Sequence, residues 1–190
     1  MVENILELKI ILDKSNPTIW RRVLVPVSVT FFDLHHIIQI SMGWKNAHLF
    51  KFEVGDYKIG IPDDEYDEDA DTAHAGEVTL DLLLLKKGLT FHYVYDFGDW
   101  WQHTLKVEDI LTKDDIVYPV CTGGEMACPR EDSGGIPGHY WYLEILRDPK
   151  HPEYKEIKRW IGRGYDPQKF DLAKVNKELP KFKSYMKYWR

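Results

Sequence analysis

Apolar residues recur at every second position in several short runs of this chain, and that alternation is what most limits its fold. In Leu6-Glu7-Leu8-Lys9-Ile10-Ile11-Leu12 one face is wholly apolar, the pattern of a half-buried strand. Ile19-Trp20-Arg21-Arg22-Val23-Leu24-Val25 follows a turn at Asn16-Pro17 and ends at Pro26, so the two runs read as a long hairpin. His48, Phe50, Phe52 and Val54 alternate with Leu49, Lys51 and Glu53 before Gly55-Asp56 turns the chain into Tyr57-Lys58-Ile59, a second hairpin. Phe91 to Asp96 and Trp101 to Val107 flank Gly98-Asp99, a third. Helical spacing enters at Leu34, Ile37, Ile38 and Ser41, with Thr30 and Asp33 as cap and Gly43 as stop. Leu80 to Lys87 is a short helix candidate closed by Gly88.

Beyond residue 120 the pattern changes. Residues 121–138 are rich in Gly, Pro and acid without periodicity, a structured loop. Helices are expected at Tyr140–Arg147 and Glu153–Ile161, and a third is capped by Asp171. The prediction is an α+β fold in a single domain over 1–190. It comprises an antiparallel sheet of hairpins with an early helix (β-rich 1–120), the motif loop 121–138, and a helical C-terminal third, 139–190. A chain of 190 residues has room for one such core and is short for two.

The net charge of −6 hides a division. Residues 1–146 carry 12 basic and 25 acidic side chains, net −13, whereas 147–190 carry 13 and 6, net +7. Seven of the acids fall in the nine residues 63–71, which read as a solvated loop. A calcium loop is the alternative there, but the EF-hand spacing from Asp63 meets Glu68 and His74 where Gly and Glu are needed. The basic tail interleaves Lys155, Lys158, Arg159 and Lys174 with Tyr154, Trp160 and Phe170, so residues 150–190 are the candidate nucleic-acid surface. No run approaches the ~18 apolar residues of a membrane span, and Glu3, Glu7 and Lys9 break up the N-terminal run, which lacks a signal peptide's features. The expected location is cytoplasmic, with no membrane partner.

The third hairpin offers chemistry. With Gly98-Asp99 as a two-residue turn, Asp96 faces Trp101 and Val94 faces His103, so His92, Asp96, Trp101 and His103 share one face. Asp96 and His103 are then diagonal neighbours, within reach of the hydrogen bond that orients a general base or a metal-bound imidazole. Glu131 and Asp132 join them as candidate catalytic carboxylates; the alternative is a satisfied polar pair beneath two Trp. His103, Cys121 and Cys128 are the candidate metal ligands, with His139 as a further imidazole. The cysteines stand six residues apart, whereas familiar structural zinc sites pair them two to four apart. Buried thiols or a redox pair are the other readings. No nucleophile elbow, Walker loop, dinucleotide fingerprint or His-Glu-x-x-His helix is present, so no cofactor is implied beyond a possible divalent metal.

Tyr95-Asp96-Phe97-Gly98-Asp99 with Trp101 and His103 resembles the Tyr-Asp-Phe-Gly-Asp-x-Trp-x-His signature of the plasmid pRiA4b ORF-3-like family. Cys128-Pro129, Glu131-Asp132, Gly134-Gly135 and Gly138 resemble that family's Cys-Pro-Pro-Glu-Asp-x-Gly-Gly motif. Tyr165-Asp166-Pro167, Phe170-Asp171 and Val175-Asn176 are similar to its C-terminal element, and Trp20-Arg21-Arg22 to its opening hairpin. Arg130 and Ser133 depart from the pattern, standing where a second Pro and often a third Cys occur. The resemblance implies an α+β protein of plasmids and insertion elements, with no established reaction or cofactor. The first expectation is therefore a non-catalytic binding or interaction module with a protein partner. Next come a metal-assisted hydrolase or nuclease centred on His103, and nucleic-acid binding through the basic tail. The motif loop should fold over the 91–107 hairpin, bringing Cys128, Glu131 and Asp132 toward Asp96, Asp99 and His103.

Overall fold

The computed structural model describes the backbone of residues 3–62 and 72–188, with side chains through Ser184. The acidic segment 63–71, and the calcium reading with it, lies outside the described residues. The first alternating run is β1 (Asn4–Leu12), antiparallel to β2 (Trp20–Pro26), with Leu8 opposite Val23 and Ile10 opposite Arg21. Helix α1 (Phe31–Met42) opens on the expected capping box: Asp33 N–H donates to Thr30 Oγ1 at 3.1 Å, and Thr30 N–H to the Asp33 carboxylate at 3.2 Å. β3 (Phe50–Val54) and β4 (Tyr57–Gly60) form the second hairpin, and β5 (Thr72–His74) follows. Next are β6 (Thr90–Tyr95), β7 (Trp101–Thr112) and β8 (Val120–Glu125), then α2 (Gly135–Arg147), α3 (Tyr154–Ile161) and α4 (Leu172–Glu178). A 3₁₀ segment covers Leu179–Tyr188.

The strands make one sheet in the order β5-β4-β3-β6-β7-β1-β2-β8. Its central hairpins are antiparallel as expected, but β5 runs parallel to β4, so the sheet is mixed. A parallel neighbour needs a crossover of about a dozen residues, and the stretch from Gly60 to Thr72 supplies that length where a tight turn would have reversed the chain. The helix expected at 80–87 is one 3₁₀ turn, Leu80–Leu82. The Leu80 and Asp81 amides donate to the Val29 and Val27 carbonyls, tying the segment to the chain entering α1, while its own turn closes with the Leu83 and Leu84 amides on the Leu80 carbonyl. The span 121–138 likewise contains most of β8 and the start of α2, and the C-terminal third is helical only in part.

α1 lies on the apolar face of the sheet. Leu34, Ile37 and Ile38 are sealed there with Leu8, Ile10, Phe52, Phe91 and Leu105, and Phe31 meets Phe52 edge to face at 5.2 Å. Burial of each such side chain stabilises by about 1.5–3 kcal/mol. This layer fixes the ends of α1 and β6, from which the candidate site is built. Among the described residues no helix is long and apolar enough to cross a membrane.

Candidate functional site

The third hairpin closes one residue out of the expected register. Tyr95 faces Trp101 and Tyr93 faces His103, so Asp96 to Trp100 make a five-residue turn. Asp96 is the cause: its backbone is left-handed (φ 58°), as is that of Trp100 (φ 54°). Its Oδ1 accepts from the Gly98 amide at 3.0 Å and the Asp99 amide at 3.3 Å, an Asx turn that lengthens the loop. A one-residue shift moves every side chain to the opposite face. Tyr93, Tyr95, Trp101 and His103 therefore share the buried face, His92 is exposed, and the expected Asp96–His103 pair does not form.

His103 is fully buried, edge-on to Trp44 at 5.4 Å and tilted against Tyr93 at 5.4 Å. Neither of its ring nitrogens, nor Trp101 Nε1, has a hydrogen-bond partner among the described residues. Burial pushes the imidazole down to about 3, against a weaker opposing pull from the Trp101 and Tyr93 backbone. Cys121 and Cys128 are free thiols; burial raises the first and pushes the second up to about 12. Burial thus disfavours the thiolate form of both cysteines in the metal-free chain. Among the described residues, the one group of three metal-capable side chains whose ligand atoms converge contains neither cysteine nor His103.

What does converge is the turn Asp96–Trp100, the loop Arg130–Gly135 and the segment Trp44–His48 that follows α1. Both Glu131 carboxylate oxygens accept from the Lys45 amide at 3.1 Å, and Tyr95 Oη donates to Glu131 Oε1 at 2.6 Å. The Ala47 amide donates to Tyr95 Oη at 2.9 Å, and Trp44 Nε1 donates to the Pro129 carbonyl at 3.0 Å. Asp99 Oδ2 accepts from the Ser133 and Gly134 amides at 3.0 and 3.1 Å. Gly135 allows this approach: a Cβ there would lie 2.4 Å from the Asp99 carbonyl oxygen, and its φ is +67°.

At the rim of this junction His48 Nε2–H donates to Asp132 Oδ1 at 2.9 Å, and Asp96 Oδ2 lies 3.5 Å from the same nitrogen. The motif loop thus brings Glu131 and Asp132 to Asp96 and Asp99, as expected, but the imidazole that meets them is His48. The structure also places Tyr95, Gly98, Pro129, Gly134 and Gly135 at the junction, while Trp101 and His103 face the core and Cys128 is half-buried behind the loop.

The model of the plasmid pRiA4b ORF-3-like protein family matches residues 4–174. The chain belongs to this family. It is 35% identical over 181 residues to the uncharacterized protein y4hQ of Sinorhizobium fredii (strain NBRC 101917 / NGR234), covering 94% of this chain and 92% of that protein. It also resembles the crystal structure of a protein of unknown function, MM3350, from Methanosarcina mazei Go1. That match has a TM-score of 0.81 at 36% identity, over 91% of this chain and 98% of the other.

Further residues of this pRiA4b ORF-3-like chain hold the motif loop from behind. Arg21 is buried. Its guanidinium donates to the carbonyls of Ser41 (2.9 Å), Glu125 (2.8 Å) and Met126 (2.9 Å) and lies 4.0 Å over the Phe170 ring. Burial lowers its pKa, and carbonyl dipoles replace a counter-ion. The Asn176 amide accepts from Cys121 N–H (2.8 Å) and donates to the Cys121 carbonyl (2.9 Å), finishing the β8 edge as another strand would. Tyr165, half-buried, and Tyr142 and His139, both buried, form a chain, with Tyr142 Oη 2.6 Å from His139 Nδ1 and 3.2 Å from Tyr165 Oη. In the basic tail, Phe170 and Phe182 pack into the core while Trp160 stays exposed against Tyr142. Arg147, Lys158 and Arg163 surround a cleft of about 490 Å³ between α2 and α3.

Proposed function

We propose that this protein is a non-catalytic binding module, a single cytoplasmic domain whose mobile-element-associated partner meets the junction of the Asp96–Trp100 turn and the Arg130–Gly135 loop. The state of the side chains that catalysis would require carries this reading. His103 is sealed from solvent, both thiols are protonated, and Tyr95 Oη is held by Glu131 with its pKa raised well above the usual phenol value by burial. The groups left open suit recognition. Asp132 has 71% of its side chain exposed and Trp100 is 50% exposed, an acidic patch with an indole beside it that fits a cationic partner surface.

The convergence of His48, Asp96 and Asp132 favours a second reading, metal-assisted hydrolysis or nuclease action centred on His48 in place of the inaccessible His103. One assay separates the two. The chain is offered phosphate monoesters and diesters, carboxylic esters, a peptide amide and supercoiled plasmid, with and without Mn²⁺. The expected result is no turnover above that of heat-denatured protein. Turnover that disappears in His48→Ala overturns the non-catalytic reading and establishes the second.

A further inference from the structure

We infer that His48, Asp96 and Asp132 form a binding site for one divalent transition-metal ion of the manganese or zinc class. Such a site goes beyond the non-catalytic reading and serves a binding module as readily as an enzyme. The three residues come from three distant segments: the exit of α1, the β6–β7 turn and the motif loop. Their ligand atoms nevertheless lie within 4.8 Å of one another. A metal with ligands at 2.0–2.2 Å sets neighbouring ligand atoms about 3.0 Å apart in octahedral geometry and about 3.4 Å apart in tetrahedral geometry. The separations of 2.9 Å (His48–Asp132) and 3.5 Å (His48–Asp96) already match those edges, and a small inward movement of the exposed Asp132 closes the third.

Asp96 supplies the decisive detail. Its side chain is nine-tenths buried, and Oδ1 is occupied by the Gly98 and Asp99 amides. Among the described residues Oδ2 meets no donor except the His48 nitrogen at 3.5 Å, whose single proton lies on the shorter path to Asp132. A nearly buried carboxylate oxygen is thus aimed into the cluster with only a long contact to a shared N–H as its partner. No Lys or Arg among the described residues pairs with Asp96, Asp99, Glu131 or Asp132, so no side-chain cation occupies the place of the ion. Hydrogen bonds orient the ligands from outside: two amides fix Asp96, and Asp99 fixes the Ser133–Gly134 backbone that carries Asp132. One imidazole with two carboxylates suits manganese, zinc or ferrous iron better than calcium, which takes oxygen donors alone. Three protein ligands leave positions for water or for an anionic group of a partner, so the bound ion would turn an acidic rim into an anion-accepting one.

Mn²⁺ is the probe of choice, because it favours carboxylate and imidazole donors over the softer cysteine sulfurs. Titration of the full chain with MnCl₂, followed by the electron paramagnetic resonance signal of the free ion, is expected to show one ion bound per chain. Asp96→Asn, Asp132→Asn and His48→Gln should each weaken binding about tenfold or more, and Asp114→Asn, an acid outside the cluster, should not. Absence of saturable binding in the millimolar range or below, or binding unchanged in all three variants, overturns the site. A readout on the unsubstituted protein guards against variants that fail to fold: added Zn²⁺ must shift the His48 imidazole ¹⁵N resonances, and unshifted resonances refute the ligand set. Failure of metal binding leaves the non-catalytic reading standing, whereas metal-independent turnover overturns that reading and leaves the site.

Discussion

A single residue, Ala47, separates Asn46 from His48, yet they belong to opposite kinds of polar cluster. Beneath α1, Asn46 Oδ1 lies 2.5 Å from His35 Nε2, and His35 Nδ1 lies 2.8 Å from Tyr93 Oη. Gln39 Nε2 donates to Tyr93 Oη at 3.0 Å, and the Asn46 amide donates to Gln39 Oε1 at 3.0 Å. The amide oxygen of Asn46 can only accept, so the neighbours assign the His35 proton to Nε2 and let Nδ1 accept from Tyr93. Each acceptor in this ring meets one donor and the cycle closes. At His48 two carboxylates share one N–H and acceptors outnumber donors. A closed cycle in a dry core is architecture, whereas a donor deficit at the surface is where a ligand can contribute.

Acid tests the interior half of that comparison most severely. Burial holds His103 near 3 and His139 near 4, and it also lowers His35 and His36. Above about pH 6.5 folded and unfolded chains both carry these rings neutral, so they add no pH dependence. Below it the unfolded chain takes up protons that the folded one refuses, and stability falls with pH, by about 1.4 kcal/mol per unit for His103. By pH 4, His103 alone removes about 3 kcal/mol. Urea unfolding at pH 7, 6, 5 and 4 should show the decline, and His103→Phe should flatten it by one histidine's share. An unchanged slope in that variant would mean the interior is not dry.

Tyr93→Phe breaks the closed cycle directly. It leaves His35 Nδ1 without a donor and Gln39 Nε2 without an acceptor, at about 1–3 kcal/mol for each stranded group, so a loss of about 2–6 kcal/mol in unfolding free energy is expected. A loss below about 1 kcal/mol would show that the ring re-forms around the missing hydroxyl.

The two halves were unequally legible in the sequence. Period-two runs located the first two hairpins and Thr30, Asp33 and Gly43 bounded α1, because those signals are local and the core rewards them. The third hairpin misled for a local reason as well. Gly98-Asp99 has the composition of a two-residue turn, but Asp96 adopts a left-handed backbone and binds the next two amides, which moves the register and sends His103 inward. Asp96, Asp99, Glu131 and Asp132 were legible from their motifs, whereas His48 was read as one more member of an alternating strand. Only the polar pair Lys45-Asn46, between α1 and β3, interrupts the apolar pattern just before His48. The parallel β4–β5 pair depends on long-range closure, which periodicity does not encode.

Asn176→Ala is a milder test of closure at the back of the motif loop. It leaves the Cys121 N–H and carbonyl at the β8 edge without their side-chain partner, and a loss of about 1–2 kcal/mol is expected in thermal or urea unfolding. No loss would mean that water satisfies that edge equally well.

Asp132→Asn should have the smallest effect on stability and the clearest meaning. The carboxylate is largely exposed, and asparagine keeps an oxygen able to accept from His48, so without metal the change should stay within about 0.5 kcal/mol. Removing one of two neighbouring carboxylates even relieves some repulsion. With Mn²⁺ the two clusters should part company. An ion that binds only the folded chain stabilises it by mass action, about 2.7 kcal/mol at a hundredfold excess over the dissociation constant. The unsubstituted chain and Tyr93→Phe should both gain that increment, and Asp132→Asn should gain almost none of it. If Asp132→Asn instead loses several kcal/mol without metal, the junction is a closed structural cluster like the ring around Asn46, and its donor deficit marks no site.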